Sequence, residues 1–367
     1  MKLVFSKNNL SRAVGIVMKA VPTRTTMSIL ECILIDATTS VIKFTANDME
    51  LGIETIVEGE IIEKGKVAID AKIFSEIVRK LPDNDITIET DSNYVAYITC
   101  EKSKFNISGK SGDDFSYLPV IVKEKSISLS QFTLKETINQ TIFSIAINDN
   151  NKMMTGELFE VNDGMLKVVG LDGHRIAIRN VSLEGKADDI KVVVPGKTLV
   201  EISKILSSDA EAMVNVYFTN NHILFEFDDT MVVSRLIEGD YFKINQMLSS
   251  DYETKVLINK KEFLDSIDRA NLLIREGEKK PIILNITDGA LEVNVTSAIG
   301  SLNEDIDIEK EGKDIMIGFN PKFLIDALRV IDDESVNIYL VNPKAPCFIK
   351  DKEEKYIYLI LPVNFTA

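Results

Sequence analysis

The sequence has few of the residues on which catalysis, metal binding and disulfide bonding depend. Its 367 residues include no tryptophan, two histidines and three cysteines. The cysteines, Cys32, Cys100 and Cys347, are odd in number and widely spaced, so they suit neither a disulfide framework nor a zinc knuckle. We therefore expect free thiols in a reducing cytoplasm, and no metal or other cofactor.

Long apolar stretches and familiar catalytic motifs are also missing. No apolar run approaches the roughly 18 residues of a membrane-spanning helix, and the opening MKLVFSKNNLSRAV lacks the apolar segment of a secretory signal. The sequence contains no phosphate-binding glycine loop, no HExxH zinc motif and no GxSxG nucleophile motif. We therefore expect a cytoplasmic protein that has no membrane span and is not an enzyme.

Positive charge is scarce overall but is concentrated in the predicted helices. The net charge is −15, which taken alone argues against a nucleic-acid partner. The predicted helices nevertheless carry twice as many lysines and arginines as aspartates and glutamates, and they cover residues 6–21, 71–81, 130–146, 196–206, 259–274 and 321–331. Chance placement of surface lysines could give such an excess, so the spacing of the cations decides the matter.

These cations recur in three pairs with one common spacing. The two residues of a pair are seven positions apart, hence on one helix face, and successive pairs are 125 residues apart. The pairs are Lys72 with Arg79, Lys197 with Lys204, and Lys322 with Arg329. The sequence therefore predicts one unit used three times, as domains 1–122, 123–250 and 251–367. A repeated basic face on an acidic chain calls for an anionic partner.

Each predicted domain combines two helices with a series of short strands. About eight alternating, β-branched runs per copy are separated by turn dipeptides that favour hairpins. This pattern predicts an α+β fold with helices on one face of antiparallel sheet. The candidate linkers, Lys123–Ser126 and Ser249–Glu253, are short, so we expect the three domains to be rigidly connected.

The segment Asp172-Gly173-His174-Arg175 is the one constellation that could carry chemistry. Asp172 and His174 could bind a metal or act as an acid–base pair, but no third ligand is at hand. An Asp-Gly turn between two strands, with a structural or binding role, fits the residues better. The corresponding segment of the first copy, Asn47–Glu50, has neither Gly nor His, which suggests that the second copy has a function of its own here.

The carboxyl-terminal run YIYLILPVNFTA is the other unusual feature. A buried last strand explains part of its apolar character. Leu361-Pro362-Val363 cannot continue a central strand, because proline lacks a backbone donor. We therefore expect these residues to line the edge of a groove.

Several motifs together resemble the bacterial DNA polymerase sliding-clamp family, the beta subunits of the replicative polymerase. They are LDGHRIAI at 171–178, FNPKFLIDAL at 319–328 and the terminal YLILPVNF, and the similarity extends from KLVFSKNNL through PTRTTMSIL and TANDMEL to the last strand. The resemblance implies three clamp domains, each with two helices backed by antiparallel sheet, which close as a head-to-tail dimer into a six-domain ring around duplex DNA. The residues that would face DNA are Arg12, Arg24, Lys72, Arg79, Asn148, Lys197, Lys204, Lys322 and Arg329.

The resemblance also implies a groove for short peptide motifs of partner proteins. Its partners would be the DNA polymerase III catalytic subunit, the clamp loader, other DNA polymerases and repair proteins. The groove would be formed by Met154, Leu171, Gly173, His174, Arg175, Ile176, Phe242, Gln246, Met247, Asn320, Phe323, Lys344, Pro346, Leu359, Ile360, Leu361, Pro362 and Val363. Among these, the apolar set expected to form pockets for a Leu and a Phe of the peptide is Leu171, Ile176, Met247, Ile360 and Leu361.

Four positions of this site differ from the usual family pattern. Leu171 stands where Thr is usual, Phe242 where Pro is common, and Gln246 where Arg is common. Asn364 replaces a basic residue near the end of the chain. We expect the groove to persist with a changed ranking of partner peptides.

Closure of the ring would join two strands of opposite charge. Residues 101–110 are basic and carry Phe105 and Ile107, whereas residues 304–311 are acidic. Pairing between these edges in two chains would satisfy both backbone ladders and both charges. The resemblance adds Leu272 and Leu273 to this dimer interface.

Two other interpretations fit parts of the sequence. An acidic repeat scaffold or protein-binding module would use the same domains without encircling DNA, and a linear, open arrangement would favour it. An enzyme that uses Asp172 and His174 is the more remote alternative. Solution mass and retention on circular but not linear DNA distinguish the ring from both.

Overall fold

Helices and strands follow nearly the same order in each third of the chain. The computed structural model describes residues 1–185, 188–248, 251–275, 277–278 and 280–365. Each third has a strand, a helix, four more strands, a second helix and three final strands, and the first third has one additional strand, β5. The predicted α+β class, with two helices and about eight strands per copy, is confirmed.

The first third contains β1 (Lys2–Ser6), α1 (Lys7–Val17), β2 (Cys32–Asp36), β3 (Ile42–Asn47), β4 (Leu51–Val57), β5 (Glu60–Glu63), β6 (Lys66–Asp70), α2 (Ala71–Lys80), β7 (Asp85–Thr90), β8 (Val95–Cys100) and β9 (Ser103–Ser111). The second contains β10 (Lys125–Ser130), α3 (Gln131–Asn139), β11 (Gly156–Asn162), β12 (Met165–Leu171), β13 (Arg175–Ser182), β14 (Ile190–Pro195), α4 (Gly196–Ser203), β15 (Met213–Phe218), β16 (His222–Phe227) and β17 (Thr230–Arg235). The last contains β18 (Thr254–Asn259), α5 (Lys260–Asn271), β19 (Ile282–Thr287), β20 (Ala290–Ser297), β21 (Gly300–Gly312), β22 (Ile315–Phe319), α6 (Pro321–Arg329), β23 (Ser335–Leu340), β24 (Cys347–Lys350) and β25 (Tyr356–Ile360).

The strands form two large antiparallel sheets, one in each of two compact units. Unit 1 comprises residues 1–135 and 197–236, and its sheet has the strand order β10-β15-β16-β17-β4-β3-β2-β6-β9-β8-β7-β1-β5. Unit 2 comprises residues 136–196 and 237–367, with the order β14-β11-β12-β13-β25-β24-β23-β18-β21-β20-β19-β22. The middle third of the chain thus supplies strands to both sheets, through the β17–β4 pairing in unit 1 and the β13–β25 pairing in unit 2.

The predicted linkers are only partly linkers. Strand β10 begins at Lys125, so half of the segment Lys123–Ser126 belongs to a sheet. Residues 249 and 250 of the second predicted linker lie outside the described residues. The predicted domain boundaries therefore stay a prediction.

Polar side chains start the helices where the sequence indicates. Ser6 accepts a hydrogen bond from the Asn9 amide at 3.3 Å, and Asp70 accepts one from the Ile73 amide at 2.8 Å. Asn259 and Asn320 cap α5 and α6 in the same way. These bonds satisfy amide groups that have no partner inside the helix.

Four helices end three or more residues earlier than predicted, among them α4, which ends at Ser203 rather than at residue 206. Helix α1 gives way to a single 3₁₀ turn over Met18–Ala20, and α5 ends at Asn271 rather than at residue 274. Helix α3 ends at Asn139, seven residues before the predicted end. Immediately after it, the Thr141 hydroxyl donates to the carbonyl of Thr137 at 2.8 Å, a local bond that competes with helix continuation.

The inward faces of the helices form the core beneath the sheets. Phe74, Leu199 and Leu324 occupy the same position of the 125-residue repeat, and none is more than 1% exposed. Burying an apolar side chain of this size stabilises the fold by about 1.5–3 kcal/mol. None of the helices in the described part of the chain has the length and apolar character that a bilayer crossing requires.

Candidate functional sites

The repeated cations lie on the outward faces of three helices. Their side chains are all exposed, opposite the buried residues of the same helices: Lys72 and Arg79 on α2, Lys197 and Lys204 beginning and following α4, and Lys322 and Arg329 on α6. The predicted solvent exposure of these six residues is confirmed. Arg24 and Asn148 are exposed in segments without helix or strand structure.

Carboxylates accompany these cations at a repeated position. Glu76, Glu201 and Asp326 are also 125 residues apart, one helical turn before the second cation of each pair. The Arg79 guanidinium donates to Glu76 at 2.7 Å, and Lys204 donates to Glu201 at 2.7 Å. The bond from Arg79 lowers the pKa of the Glu76 carboxyl. Two of the six cations therefore already have an anionic neighbour on their own helix.

The third copy uses its carboxylate differently. Asp326 accepts a hydrogen bond from Arg175 at 2.7 Å, so its carboxylate is bonded to strand β13 and not to a cation of its own helix. Arg329 instead pairs with Asp268 of α5 at 3.2 Å. The sequence repeat predicts the position of the carboxylate but not its partner, because the partner comes from a distant part of the chain.

A cleft of about 290 Å³ lies among the basic residues of unit 1. Arg12 and Lys19 line it from the first helical segment, and Lys204 lines it from the end of α4. Arg12 is 3.6 Å from Asp228, the residue after β16. Lys19 was not among the residues predicted to face DNA, although the sequence places it on the same helix face as Arg12.

The two strands predicted to close a dimer each pair with one neighbour along their first part and with a different neighbour, on the opposite edge, along the rest. In β9, residues 103–108 pair with β8, whereas residues 109–111 pair with β6. In β21, residues 300–307 pair with β20, and residues 308–312 pair with β18. Over the first part of each strand the other edge has no strand partner among the described residues. Phe105 on this part of β9 is 41% exposed, and Ile107 is half-buried.

The two other residues predicted to lie in the dimer interface, Leu272 and Leu273, directly follow α5. Leu272 is 77% exposed. Leu273 is partly buried against the core that α5 and α6 share. Leu273 is therefore held against the core, and the Leu272 side chain is exposed to solvent.

The turn at residues 172–175, between β12 and β13, is held by its own aspartate. The Asp172 carboxylate accepts hydrogen bonds from the amides of His174 at 3.0 Å and Arg175 at 3.1 Å. Gly173 has φ +83°, a conformation that glycine adopts without strain. Asp172 also accepts from the Arg175 Nε at 3.0 Å. Its carboxylate is therefore part of the turn, as the structural interpretation of this segment expects.

Arg175 fixes the turn to the rest of unit 2. The residue is 7% exposed, and its guanidinium bonds Asp326 on α6 and the carbonyl of Phe143. It also lies over the ring of Phe323 at 4.6 Å. His174 stacks on the same Phe323 ring, with ring centroids 5.9 Å apart.

The end of the chain leaves the sheet beside this turn. Strand β25 is central, between β13 and β24, and it ends at Ile360. The Leu361 amide donates to the carbonyl of His174 at 2.9 Å, and the Val363 amide donates to the carbonyl of Gly318 at 2.8 Å. Leu361 is 37% exposed. Pro362 follows where the ladder stops, as its missing donor requires.

Several predicted groove residues share one apolar cluster on a face of the unit 2 sheet. Leu171, Ile176 and Leu359 are buried in it, and Met154 and Phe242 pack against it partly exposed. The exposed members of the predicted groove are Gly173, His174, Gln246, Met247, Lys344 and Leu361, and the remaining half-buried ones are Asn320, Phe323, Pro346, Pro362 and Val363.

Ile360 does not belong with these pocket residues. It is 1% exposed and lies in the core cluster of α5 and α6. Successive residues of a strand point to opposite faces, so Leu359 and Ile360 cannot line the same surface. The prediction that Ile360 forms a pocket with Leu171 and Ile176 is corrected accordingly.

The described residues contain no group of three or more His, Cys, Asp or Glu side chains that could hold a metal ion. Asp172 is engaged by the turn and by Arg175. Neither a metal site nor an acid–base pair is therefore supported at Asp172 and His174.

Comparison with known proteins gives the same picture along the whole chain. Models of the N-terminal, central and C-terminal domains of the DNA polymerase III beta subunit match residues 1–119, 128–243 and 245–364. The beta sliding clamp of Staphylococcus aureus strain Mu50 is 35% identical over 358 residues, which is 95% of either chain. That of Halalkalibacterium halodurans is 35% identical over 379 residues, covering 99% of this chain and 100% of the relative.

Solved structures agree. A chain from Eubacterium rectale, named for the DNA polymerase III beta subunit, is 70% identical with a TM-score of 0.97, and both chains are covered completely. The DNA polymerase sliding clamp of Bacillus subtilis is 33% identical with a TM-score of 0.96, again over the whole of both chains. The chain therefore belongs to the DNA polymerase III beta subunit family, the bacterial sliding clamps.

Proposed function

We propose that the chain is a processivity factor, not an enzyme, that encircles duplex DNA as a homodimeric ring and tethers the replicative polymerase to it. The observation that carries the proposal is the exposure of all six repeated cations on helices whose other faces are buried. Cations on rigid helices attract phosphates without reading sequence, so a ring can slide. The negative net charge of −15 discourages DNA from binding elsewhere on the molecule.

Closure would use the free edges of β9 and β21 in two copies of the chain. Lys102 and Lys104 lie at the start of β9, whereas Asp305 and Asp307 lie on β21. Pairing of these edges supplies partners for both backbones and matches charges of opposite sign. Leu272 and Leu273 would pack at the same junction. The three clamp domains would be residues 1–122, 123–250 and 251–367.

The groove beside turn 172–175 would hold short, extended peptides of partner proteins. Buried Leu171, Ile176 and Leu359 would form its apolar floor, and exposed Gln246 and Met247 would lie at its rim. We propose the polymerase III catalytic subunit, the clamp loader, other polymerases and repair proteins as the partners. The substitutions at Leu171, Phe242, Gln246 and Asn364 would change how strongly each partner binds.

The three cysteines suit a reducing cytoplasm, where we propose the protein works. Cys32, Cys100 and Cys347 are buried free thiols. Burial raises the pKa of the Cys347 thiol to about 12, so it is not a reactive thiolate at neutral pH.

A retention experiment tests the ring. After loading by a clamp loader, the protein should remain on nicked circular DNA through gel filtration and should be lost once the circle is linearised. Its mass in solution should be twice the 41.0 kDa of one chain.

Two variants serve as controls. Leu272→Ala with Leu273→Ala should give folded monomers that are not retained. Reversal of the six cations to Glu should leave a dimer that fails to load or stay on DNA, because all six side chains are exposed. A wild-type monomer, or equal retention on circular and linear DNA, would favour the acidic scaffold instead.

A further inference from the structure

Unit 1 contains a second turn that is built like turn 172–175. In the turn at residues 48–51, between β3 and β4, the Asp48 carboxylate accepts hydrogen bonds from the amides of Glu50 at 3.0 Å and Leu51 at 2.7 Å. The Asp48 amide donates to the Leu51 carbonyl at 3.0 Å. Turn 172–175 has the same three bonds, at 3.0, 3.1 and 3.3 Å. The two turns are therefore equivalent in construction.

The backbone of turn 48–51 keeps its shape without a glycine. Met49 has φ +75°, and it occupies the place of Gly173, whose φ is +83°. A non-glycine residue in this region is uncommon, and such residues cluster at functional sites. The free carboxylate oxygen of Asp48 is bonded by Lys197, where Asp172 uses Arg175. The turn thus presents a methionine side chain where the other turn presents none.

The neighbouring strand is also equivalent. The Arg235 amide, at the end of β17, donates to the carbonyl of Glu50 at 2.9 Å. The Leu361 amide, just after β25, makes the matching bond to His174 at 2.9 Å. In both units a strand therefore ends against a turn of the same form, and the surface beside it has the same framework.

This surface contains a cavity of about 120 Å³. Its lining includes Met49, Tyr117, Leu118, Pro119, His222 and Arg235. A cavity of about 150 Å³ holds a molecule of benzene, so this one is suited to a single apolar side chain.

Two exposed apolar residues line the cavity, and a third, Val120, follows the lining residue Pro119 in the chain. Val120 is 96% exposed, Tyr117 is 58% exposed and Met49 is 52% exposed. Contiguous exposed apolar residues beside a cavity are typical of a binding surface. We name the six residues Met49, Tyr117, Pro119, Val120, His222 and Arg235 the unit 1 surface.

The polar groups of the unit 1 surface favour an acidic residue in the ligand. Arg235 is exposed, and among the described residues no carboxylate forms an ion pair with its guanidinium. Desolvation, followed by the nearby Arg235, lowers the pKa of His222, so this ring is neutral at pH 7 and leaves Arg235 as the cation. Glu50 also lines the cavity, and its negative charge disfavours a carboxylate of the ligand next to Glu50 itself.

We propose that the unit 1 surface docks an extended peptide segment of a partner protein, with a Leu-sized side chain in the cavity and an adjacent Asp or Glu on Arg235. An arginine binds a carboxylate through paired, charge-assisted hydrogen bonds, which fixes the direction of the segment. The groove of unit 2 serves only as a geometric comparison, so the proposal stands whether or not that groove binds peptides.

Methyl NMR of the full chain labelled at methionine methyl groups tests the proposal. Met49 reports on the unit 1 surface, whereas Met154 and Met247 report on the groove of unit 2. The probe is the blocked hexapeptide Gly-Ser-Leu-Asp-Ser-Gly, titrated to millimolar concentration. We expect a saturable shift of the Met49 signal that is weakened at least tenfold by Arg235→Ser and by replacing the peptide Asp with Lys.

The controls separate this surface from the groove. Arg275→Ser removes another exposed arginine and should leave the titration unchanged. A second peptide, Gln-Leu-Ser-Leu-Phe, should shift Met154 and Met247 if the groove functions as proposed. The inference is overturned if the first peptide leaves Met49 unshifted, or if Arg235→Ser, with all other methyl signals unchanged, binds as tightly as the wild type.

Discussion

A single side chain, Arg175, holds together the elements beside the proposed groove of unit 2. Arg175 holds turn 172–175, helix α6 and the segment around Phe143 together through one nearly buried guanidinium. A buried cation with satisfied partners fixes position more than it adds stability, whereas removing one partner is costly. The sequence shows that Arg175 is part of the segment but not that Asp326, 151 residues away, is its partner.

Glu157 on β11 is a buried acid that the sequence does not single out. It is fully buried, and neither of its carboxylate oxygens accepts a hydrogen bond of normal geometry. Its carboxylate lies against Gly170 and faces Thr141 and the Tyr241 hydroxyl. Burial raises the pKa of Glu157 to about 8, so the folded protein keeps this group protonated at neutral pH.

Glu157→Gln should therefore stabilise the protein most at high pH. Between about 4.5, the ordinary pKa, and about 8, the unfolded chain loses this proton while the folded chain retains it, so stability falls as pH rises. The variant has no carboxyl group at this position, so its stability does not fall for this reason as pH rises. Its advantage over the wild type should grow by up to about 1.4 kcal/mol per pH unit across this window and level off above it.

Denaturant unfolding at pH 5, 6.5 and 8 measures the effect. Glu160→Gln on the same strand, where Glu160 is paired with Lys191 at 3.3 Å, is the matched control and should not show the growing advantage. Parallel stability curves for Glu157→Gln and the wild type would contradict the assignment of a buried, protonated carboxyl.

At the scale of elements, helix starts are predictable and helix ends are less so. A start depends on a local side chain, such as Asp70 or Asn320, that bonds the first free amide groups. An end depends on competing bonds and on packing. The Thr141 hydroxyl bond after α3 shows why apolar periodicity alone extends that helix too far.

The terminal segment after β25 has no regular structure and forms part of the proposed groove. Val363 is bonded to Gly318, and Phe365 lies so close to Gly318 that a Cβ there would meet its ring at 2.7 Å. Deletion of Pro362–Ala367 should therefore abolish binding of a Gln-Leu-Ser-Leu-Phe peptide. Burying the two apolar side chains of such a peptide contributes about 3–6 kcal/mol before ordering costs, which suits micromolar affinity.

Fluorescence anisotropy with the labelled peptide checks this, alongside the mass of the variant in solution. The dimer should persist, because the edges of β9 and β21 are formed by other residues. Deletion of Thr366 and Ala367 alone keeps Val363 and Phe365 and should bind normally. Unaltered peptide affinity in a folded Pro362–Ala367 deletion would show that the groove is assigned wrongly.

At the scale of the whole molecule, the repeat is visible in the sequence but the sheets are not. The spacing of 125 residues identifies three copies and their exposed cations, because charge and apolar periodicity are local signals. The sheets instead pair β17 with β4 and β13 with β25, strands far apart in the chain. Periodicity shows which residues face inward but contains no information about which strands are neighbours.

The carboxylates beside the cations should weaken the attraction of the whole ring for DNA. In a variant with Glu76→Gln and Glu201→Gln, Arg79 and Lys204 lose their anionic partners and become free to bind phosphate. The affinity of the variant for short duplex DNA should rise severalfold at low salt. The slope of the logarithm of the binding constant against the logarithm of salt concentration should become more negative by up to about 0.9 for each freed cation.

Salt titrations of duplex binding, and the diffusion of loaded rings along DNA, measure this effect. The control is Glu353→Gln, which frees Lys355 from a bond of 2.7 Å in a loop remote from the helices in sequence. It should leave both quantities unchanged. Equal slopes for the double variant and the wild type would mean that Arg79 and Lys204 do not contact DNA.

The half-paired strands β9 and β21 have a consequence for the polarity of the ring. A lysine-bearing edge repels another copy of itself, and so does an aspartate-bearing edge, so two chains that close as proposed can join only through unlike ends. A dimer joined in this way has a front and a back that differ. Every docking site of one kind then lies on the same side, and a partner held there always meets the DNA from the same direction.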